Sequence, residues 1–158
     1  MRGPSKGTHL LNPDFQDILS LFNDESVEYM VVGAYALAYH GLPRATGDID
    51  LWVRRSDENA ERIWRALSRF GVPLFDLNKD DLKEPETVFQ IGIAPRRIDI
   101  LTSIDGVEFD EAEPEMKRVD IEDLSVPIIG RRQLIQNKKA AGRPQDQADI
   151  VRLEQERA

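Results

Sequence analysis

The stretch Val31-Val32-Gly33-Ala34-Tyr35-Ala36-Leu37-Ala38-Tyr39-His40-Gly41-Leu42-Pro43-Arg44-Ala45-Thr46-Gly47-Asp48-Ile49-Asp50-Leu51-Trp52-Val53 decides how this chain folds. The apolar run from Met30 to Val32 breaks at Gly33. Ala34 to Tyr39 contains good helix formers, and Gly41 stands where a helix end favours a left-handed residue. Pro43 bars continuation of that helix. Asp48 to Val53 then alternates as a strand does. The stretch reads as strand, glycine turn, short helix, loop, and a second strand carrying two carboxylates.

Successive side chains on a strand point to opposite faces, so Asp48 and Asp50 share one face while Ile49 and Leu51 share the other. The two aspartate backbone positions are roughly 6.6 Å apart. Carboxylates at that spacing can lean together and hold a pair of divalent ions roughly 3.5–4 Å apart. Bare, they would repel each other, and a cation between them resolves the repulsion. Taken alone, the triplet is also what a solvated strand face bearing two exposed aspartates looks like.

In order and spacing, the stretch resembles the nucleotidyltransferase superfamily (DNA polymerase beta-like fold), in which a glycine turn ahead of a helix is followed by D-x-D on the next strand. More narrowly, it resembles the small abortive-infection-type (AbiEii-like) nucleotidyltransferase toxins, whose signature runs G-G-x-A and then H-G-x-x-R-x-T-x-D-I-D. Gly33, Ala36, His40, Gly41, Arg44, Thr46, Asp48, Ile49 and Asp50 match it. Ala34 departs from it, standing where that family has Gly or Ser. It offers a phosphate its backbone N–H and no hydroxyl. The resemblance implies an α/β (α+β) fold: a nucleotidyltransferase-like mixed β-sheet flanked by helices, with C-terminal helices.

Composition sets outer bounds. At 158 residues, one domain is expected over residues 13–158, after a flexible N-terminal lead-in of residues 1–12. The 41% hydrophobic and 32% charged content suits a soluble globular chain. No apolar run is long enough to span a membrane. With no cysteine there is neither a disulfide framework nor a thiolate metal site, which fits a cytoplasmic location. A net charge of -8 argues against broad nonspecific binding to nucleic acid. The charge is uneven: Asp105 to Asp123 carries nine acidic residues, and Arg131 to Ala158 seven basic ones. That asymmetry reads either as two solvated faces or as a basic tail near phosphates.

Asn12-Pro13 signals a helix start, and Phe15, Ile18, Leu19 and Phe22 recur at helical spacing over residues 13–24. Glu28 to Val32 is the first strand. Ser56 caps a helix over Asp57 to Phe70 that ends at Gly71. Val72 to Leu77 is expected as a short strand, followed by a helical turn over Asn78 to Glu84. Thr87 to Ile93 and Arg97 to Thr102 form a hairpin. A further strand is expected around Lys117 to Ile121. Ser125 to Ile129 is another, at an edge or irregular because of Pro127. Helices over Arg131 to Ala141 and Pro144 to Arg157 close the chain.

Asp99 is the third carboxylate of interest. Ile98 and Ile100 face the core, which puts Asp99 on the opposite face, where Asp48 and Asp50 can also lie. Its residue-level reading stays open between a partner for Arg97 or Arg96 and a member of the aspartate group. The resemblance implies the latter, since the strand after such a hairpin supplies the superfamily's last metal-ligating acid. A second motif, Leu134 to Ile150, resembles the same family's ending K-x-x-x-G-R-x-x-D-x-x-D-I through Lys138, Gly142, Arg143, Asp146 and Asp149.

Taken together, the resemblance implies a metal-dependent transfer of a nucleoside monophosphate from an NTP to an acceptor hydroxyl, with a toxin-like role in view. Asp48, Asp50 and Asp99 would be the catalytic residues and the ligands of two Mg2+ or Mn2+ ions. Gly33, Ala34, Arg44, Thr46, Lys138 and Arg143 would bind nucleotide, and His40 would serve a structural role. The acceptor is left open among RNA, protein and a small molecule, and a cognate antitoxin is the partner such a role would bring. The other reading is a nucleotide- or partner-binding protein on the same fold with little catalysis, to which Ala34 lends weight.

Overall fold

The computed structural model describes residues 11–43, 47–75, 77–93 and 96–155. Asn12 opens α1 (Pro13–Asp24) by accepting from the Phe15 N–H, and Phe15, Ile18, Leu19 and Phe22 are buried. The deciding stretch becomes β1 (Tyr29–Val32), α2 (Gly33–Tyr39) and β2 (Ile49–Val53). Ser56 caps α3 (Asp57–Phe70), and Gly71, at φ 91°, ends it in the left-handed region. A 3-10 turn at Lys79–Lys83 precedes β3 (Val88–Ile91) and β4 (Ile98–Leu101). Next come α4 (Phe109–Ala112), β5 (Lys117–Ile121), β6 (Leu124–Ile128), α5 (Arg131–Ala141) and α6 (Pro144–Gln155).

The strands form one six-stranded sheet in the order β3-β4-β2-β1-β6-β5. β1 pairs with β2 antiparallel, whereas β2 with β4 and β1 with β6 run parallel, so the sheet is mixed. Ile49, Leu51, Ile98 and Ile100 project to one face and are buried. On that face Leu19 of α1 and Tyr35 of α2 line a cavity with Val31 and Ile49. Asp50, Trp52 and Asp99 project to the other face. There the Phe109 ring of α4 meets Trp52 edge-on, with centroids 5.1 Å apart. Among the described residues no helix is long and apolar enough to cross a membrane.

The expected mixed α/β architecture is therefore what the chain adopts, with local corrections. No strand forms over residues 72–75: Pro73 has no N–H to give a ladder, and Phe75 is 93% exposed. The Pro127 strand is not an edge, because β6 lies between β1 and β5. It is irregular instead. Ile129 N–H donates to the Val31 carbonyl, so by alternation the Pro127 nitrogen also faces β1, and the β1–β6 ladder shrinks to the pair Val31–Ile128. Of the expected lead-in, residues 1–10 lie outside the described residues, while Leu11 is buried in the core.

Part of the uneven charge is paired. Arg54 binds Glu28, Asp110 and Glu113, and Arg132 of α5 binds Glu115. Gln136 of α5 also donates to Glu111, at 2.9 Å. The acidic segment and the basic helix hold each other.

Candidate active site

The site forms where β1 ends and where β2 and β4 begin. Strand register sets Val32 opposite Asp50 and Asp50 opposite Asp99, so two carboxylates stand side by side on neighbouring parallel strands. Gln90 of β3 follows next in the same row. Asp48 lies one residue ahead of β2 rather than within it. It is nonetheless tied to β4: its Oδ1 accepts from the Arg97 backbone N–H at 3.0 Å.

Gly33 shapes the opposite wall. Its φ of 70° is left-handed, and a Cβ there would stand 2.2 Å from Asp50 Oδ2. Only glycine meets both demands. Gly33 opens α2, whose N-cap Val32 gives no side-chain cap, so the first-turn N–H groups receive no capping side chain from that residue. Ala34, in that first turn, is half-buried.

Arg97 is the central cation. Its Nε lies 2.7 Å from Asp99 Oδ1 and a terminal nitrogen 3.0 Å from Oδ2, a two-pronged pair. The same guanidinium stands 3.4 Å from Asp48 Oδ2. Asp99 is only 6% exposed. Of the two readings left open for it, the pairing with Arg97 is present, and strand register also sets Asp99 beside Asp50.

Asp50 registers the crowding. Burial, the neighbouring Asp99 and its hydrogen bond, and then Asp48 push its carboxyl up to about 6, with Arg97 pulling the other way. Asp50 and Asp99 stand together away from solvent, and Arg97 offsets part of their charge. Carboxylate oxygens are hard donors of the type that magnesium and manganese take. Among the described residues, however, no three acidic, His or Cys side chains are grouped as a ready ion cage. The side chains are placed for Arg97, which takes both oxygens of Asp99.

The remaining expected residues fall elsewhere or in different roles. Lys138 is buried, with its Nζ 3.1 Å from both Asp146 Oδ1 and Asp149 Oδ2. Arg143 binds Asp146 through Nε at 2.7 Å and through its backbone N–H at 3.2 Å. The second motif thus builds an ion cluster at the α5–α6 junction, and these bonds do not involve the sheet aspartates. His40 is structural, as expected: it ends α2 and its Nε2 lies 2.8 Å from the Ile129 carbonyl, joining α2 to the end of β6. Arg44 and Thr46 lie outside the described residues.

Sequence reasoning named Arg97 only as a possible partner of Asp99 and did not find its second contact, to Asp48. The signal was present, since alternation along Arg97-Ile98-Asp99 puts the two side chains on one face. Asn59 carried no such signal. Fully buried, it accepts from Glu28 N–H at 2.8 Å and donates to the Glu28 and Arg54 carbonyls at 3.0 and 2.8 Å, fixing the outer ends of β1 and β2.

No family model matches the chain, and no curated protein does. Solved structures do. A provisionally assigned nucleotidyltransferase from Thermotoga maritima superposes with a TM-score of 0.60 at 18% identity, covering 94% of this chain and 98% of that one. The lincosamide antibiotic adenylyltransferase LnuA, bound to lincomycin, gives 0.56 at 13% identity over 95% of this chain and 100% of its own. ANT(2")-Ia, in complex with adenylyl-2"-tobramycin, gives 0.53 at 16% identity over 88% and 84%. At these identities the likeness concerns architecture, and what the chain shares with all three is the fold of nucleotidyltransferases.

Proposed function

We propose that this chain transfers a nucleoside monophosphate from an NTP to an acceptor hydroxyl, using divalent ions held by Asp48, Asp50 and Asp99. The observation that carries the reading is the in-register pairing of Asp50 with Asp99 beside the Gly33 turn, on this fold. Such chemistry asks the protein for position and charge rather than for a covalent intermediate. Bound magnesium or manganese supplies neutralisation of the triphosphate and a more acidic acceptor hydroxyl.

The chain's own part is placement. Gly33 keeps the wall beside Asp50 clear, and the first turn of α2 presents N–H groups and a positive dipole end to phosphate oxygens. Ala34 contributes its backbone N–H, and Arg44 and Thr46 would line the loop ahead of Asp48. Asp50 stands in register beside Asp99, and Asp99, toward β3, would serve the side where an acceptor hydroxyl approaches. Lys138 and Arg143 are the candidate triphosphate contacts. Arg143 has the freer side chain, at 74% exposure, whereas Lys138 would have to leave two buried aspartates.

The antibiotic adenylyltransferase among the neighbours supports an acceptor for the nucleotidyl group, and RNA, protein and small molecules are to be screened together. A toxin-like role with a cognate antitoxin rests on the sequence resemblance and is tested by growth arrest on expression. A binding-only protein is the second reading, favoured by the Arg97 guanidinium occupying Asp99. Two labels separate the possibilities. With ATP, GTP, CTP and UTP in turn, α-phosphate label is expected to appear on an acceptor while γ-phosphate label does not. Label from the γ-position would make the protein a kinase, and none from either would leave binding alone.

A further inference from the structure

Arg97 and a metal ion need the same atoms. The guanidinium fork engages both oxygens of Asp99, at 2.7 and 3.0 Å, and approaches Asp48 Oδ2 at 3.4 Å. A carboxylate so forked has spent its cation-facing edge, and a divalent ion brought to that edge would also be repelled by the guanidinium. The two partners differ in freedom. Asp99 is buried within β4, between β2 and β3, whereas the Arg97 side chain is 30% exposed at the entrance to that strand. If one of them moves, it is the arginine, which has solvent to move into and a planar fork that suits phosphate as well as carboxylate.

We propose that Arg97 is an internal counter-cation that holds Asp99 and Asp48 in the metal-free protein, competes with divalent ions for their oxygens, and transfers to the triphosphate when metal and nucleotide load. This rests on the reading of the three aspartates as metal ligands. Its consequence is positive coupling: metal binds weakly alone and more tightly with nucleotide, because the triphosphate gives the guanidinium somewhere to go.

The test is Mn2+ binding, read from the free-ion electron paramagnetic resonance signal, with and without a non-hydrolysable ATP analogue. The full chain is compared with Arg97→Gln, Arg96→Gln and Asp50→Asn. Arg97→Gln is expected to bind Mn2+ about tenfold more tightly without nucleotide and to lose most of the tightening that nucleotide confers. Arg96→Gln removes the same charge one residue away, and Arg96 is exposed. It is expected to stay within about twofold of the unmodified chain. Arg97→Lys keeps a charge without the fork and serves if the glutamine variant does not fold, with a smaller gain expected.

Equal binding by Arg97→Gln, Arg96→Gln and the unmodified chain, with none by Asp50→Asn, would overturn the competition and leave the metal reading standing. Weaker binding by Arg97→Gln would make Arg97 a brace for the ligands, overturning the proposal in the same way. No Mn2+ binding by any variant, with or without nucleotide, would remove the metal reading and this inference together.

Discussion

Asp50 Oδ2 lies 2.2 Å from where a Cβ on Gly33 would stand, so the carboxylate of β2 fills the space that any side chain at the end of β1 would need. The sharp turn into α2 and the placement of the central aspartate are one feature of the fold. Either residue constrains the other.

Gly33→Ala should therefore damage both stability and the site. The left-handed φ of 70° costs an alanine about 1 kcal/mol, and the Asp50 carboxylate must shift as well. A fall in Tm of at least about 4 °C is expected, with nucleotide binding weakened about tenfold or more. Gly71→Ala, at φ 91° with nothing within 4 Å, is the matched control: strain alone, with binding retained.

The pH dependence of stability should carry the mark of Asp50. Its carboxyl is raised from 3.8 to about 6, chiefly by burial and then by Asp99. The folded chain thus holds that proton more tightly than the unfolded chain. The resulting stabilisation is complete below about pH 4 and is lost as pH rises through about 6, a change on the order of 2 kcal/mol. Urea denaturation in chelator between pH 4 and 7 is expected to show this decline in the unmodified protein and not in Asp50→Asn.

Asp146 should behave in the opposite sense. Arg143 first, then Lys138 and the Arg143 backbone N–H, hold its carboxyl down at about 2 against the effect of burial. Its stabilisation is present above about pH 4 and fades as pH falls through about 2. Asp146→Asn is expected to cost about 3 kcal/mol at pH 7, because Lys138 stays buried with one carboxylate fewer. The difference from the unmodified chain, measured by chemical denaturation, should shrink toward pH 2.

Much of this was legible in the sequence, and for local reasons. α1 and α3 were marked at their starts by Asn12-Pro13 and Ser56, and α3 at its end by Gly71. The shared face of Asp50 and Asp99 followed from the period of two along β2 and β4, whereas Asp48 falls one residue ahead of its strand. What escaped depends on contacts between distant segments. The short α4 is set by Phe109 against Trp52 and by Arg54 binding Asp110, none of it visible within residues 105–116. Lys138 reads from its residues as a helix-surface charge paired with Asp146 and Asp149; the pairing is present, and its burial is what the sequence did not show. Asn59 is a polar residue whose importance exists only once β1 and β2 lie beside it. Asn59→Ala is expected to destabilise the fold by about 2–3 kcal/mol, read from the urea midpoint, while leaving nucleotide binding intact.

Transfer of α-phosphate label from each NTP into a cell lysate, with magnesium or manganese and with Asp50→Asn alongside, tests the central claim most directly. Label on a discrete acceptor with the unmodified chain, reduced by about a hundredfold or more in the variant, is the predicted result. Equal labelling by both proteins, or none by a folded unmodified chain with any of the four nucleotides, would contradict it.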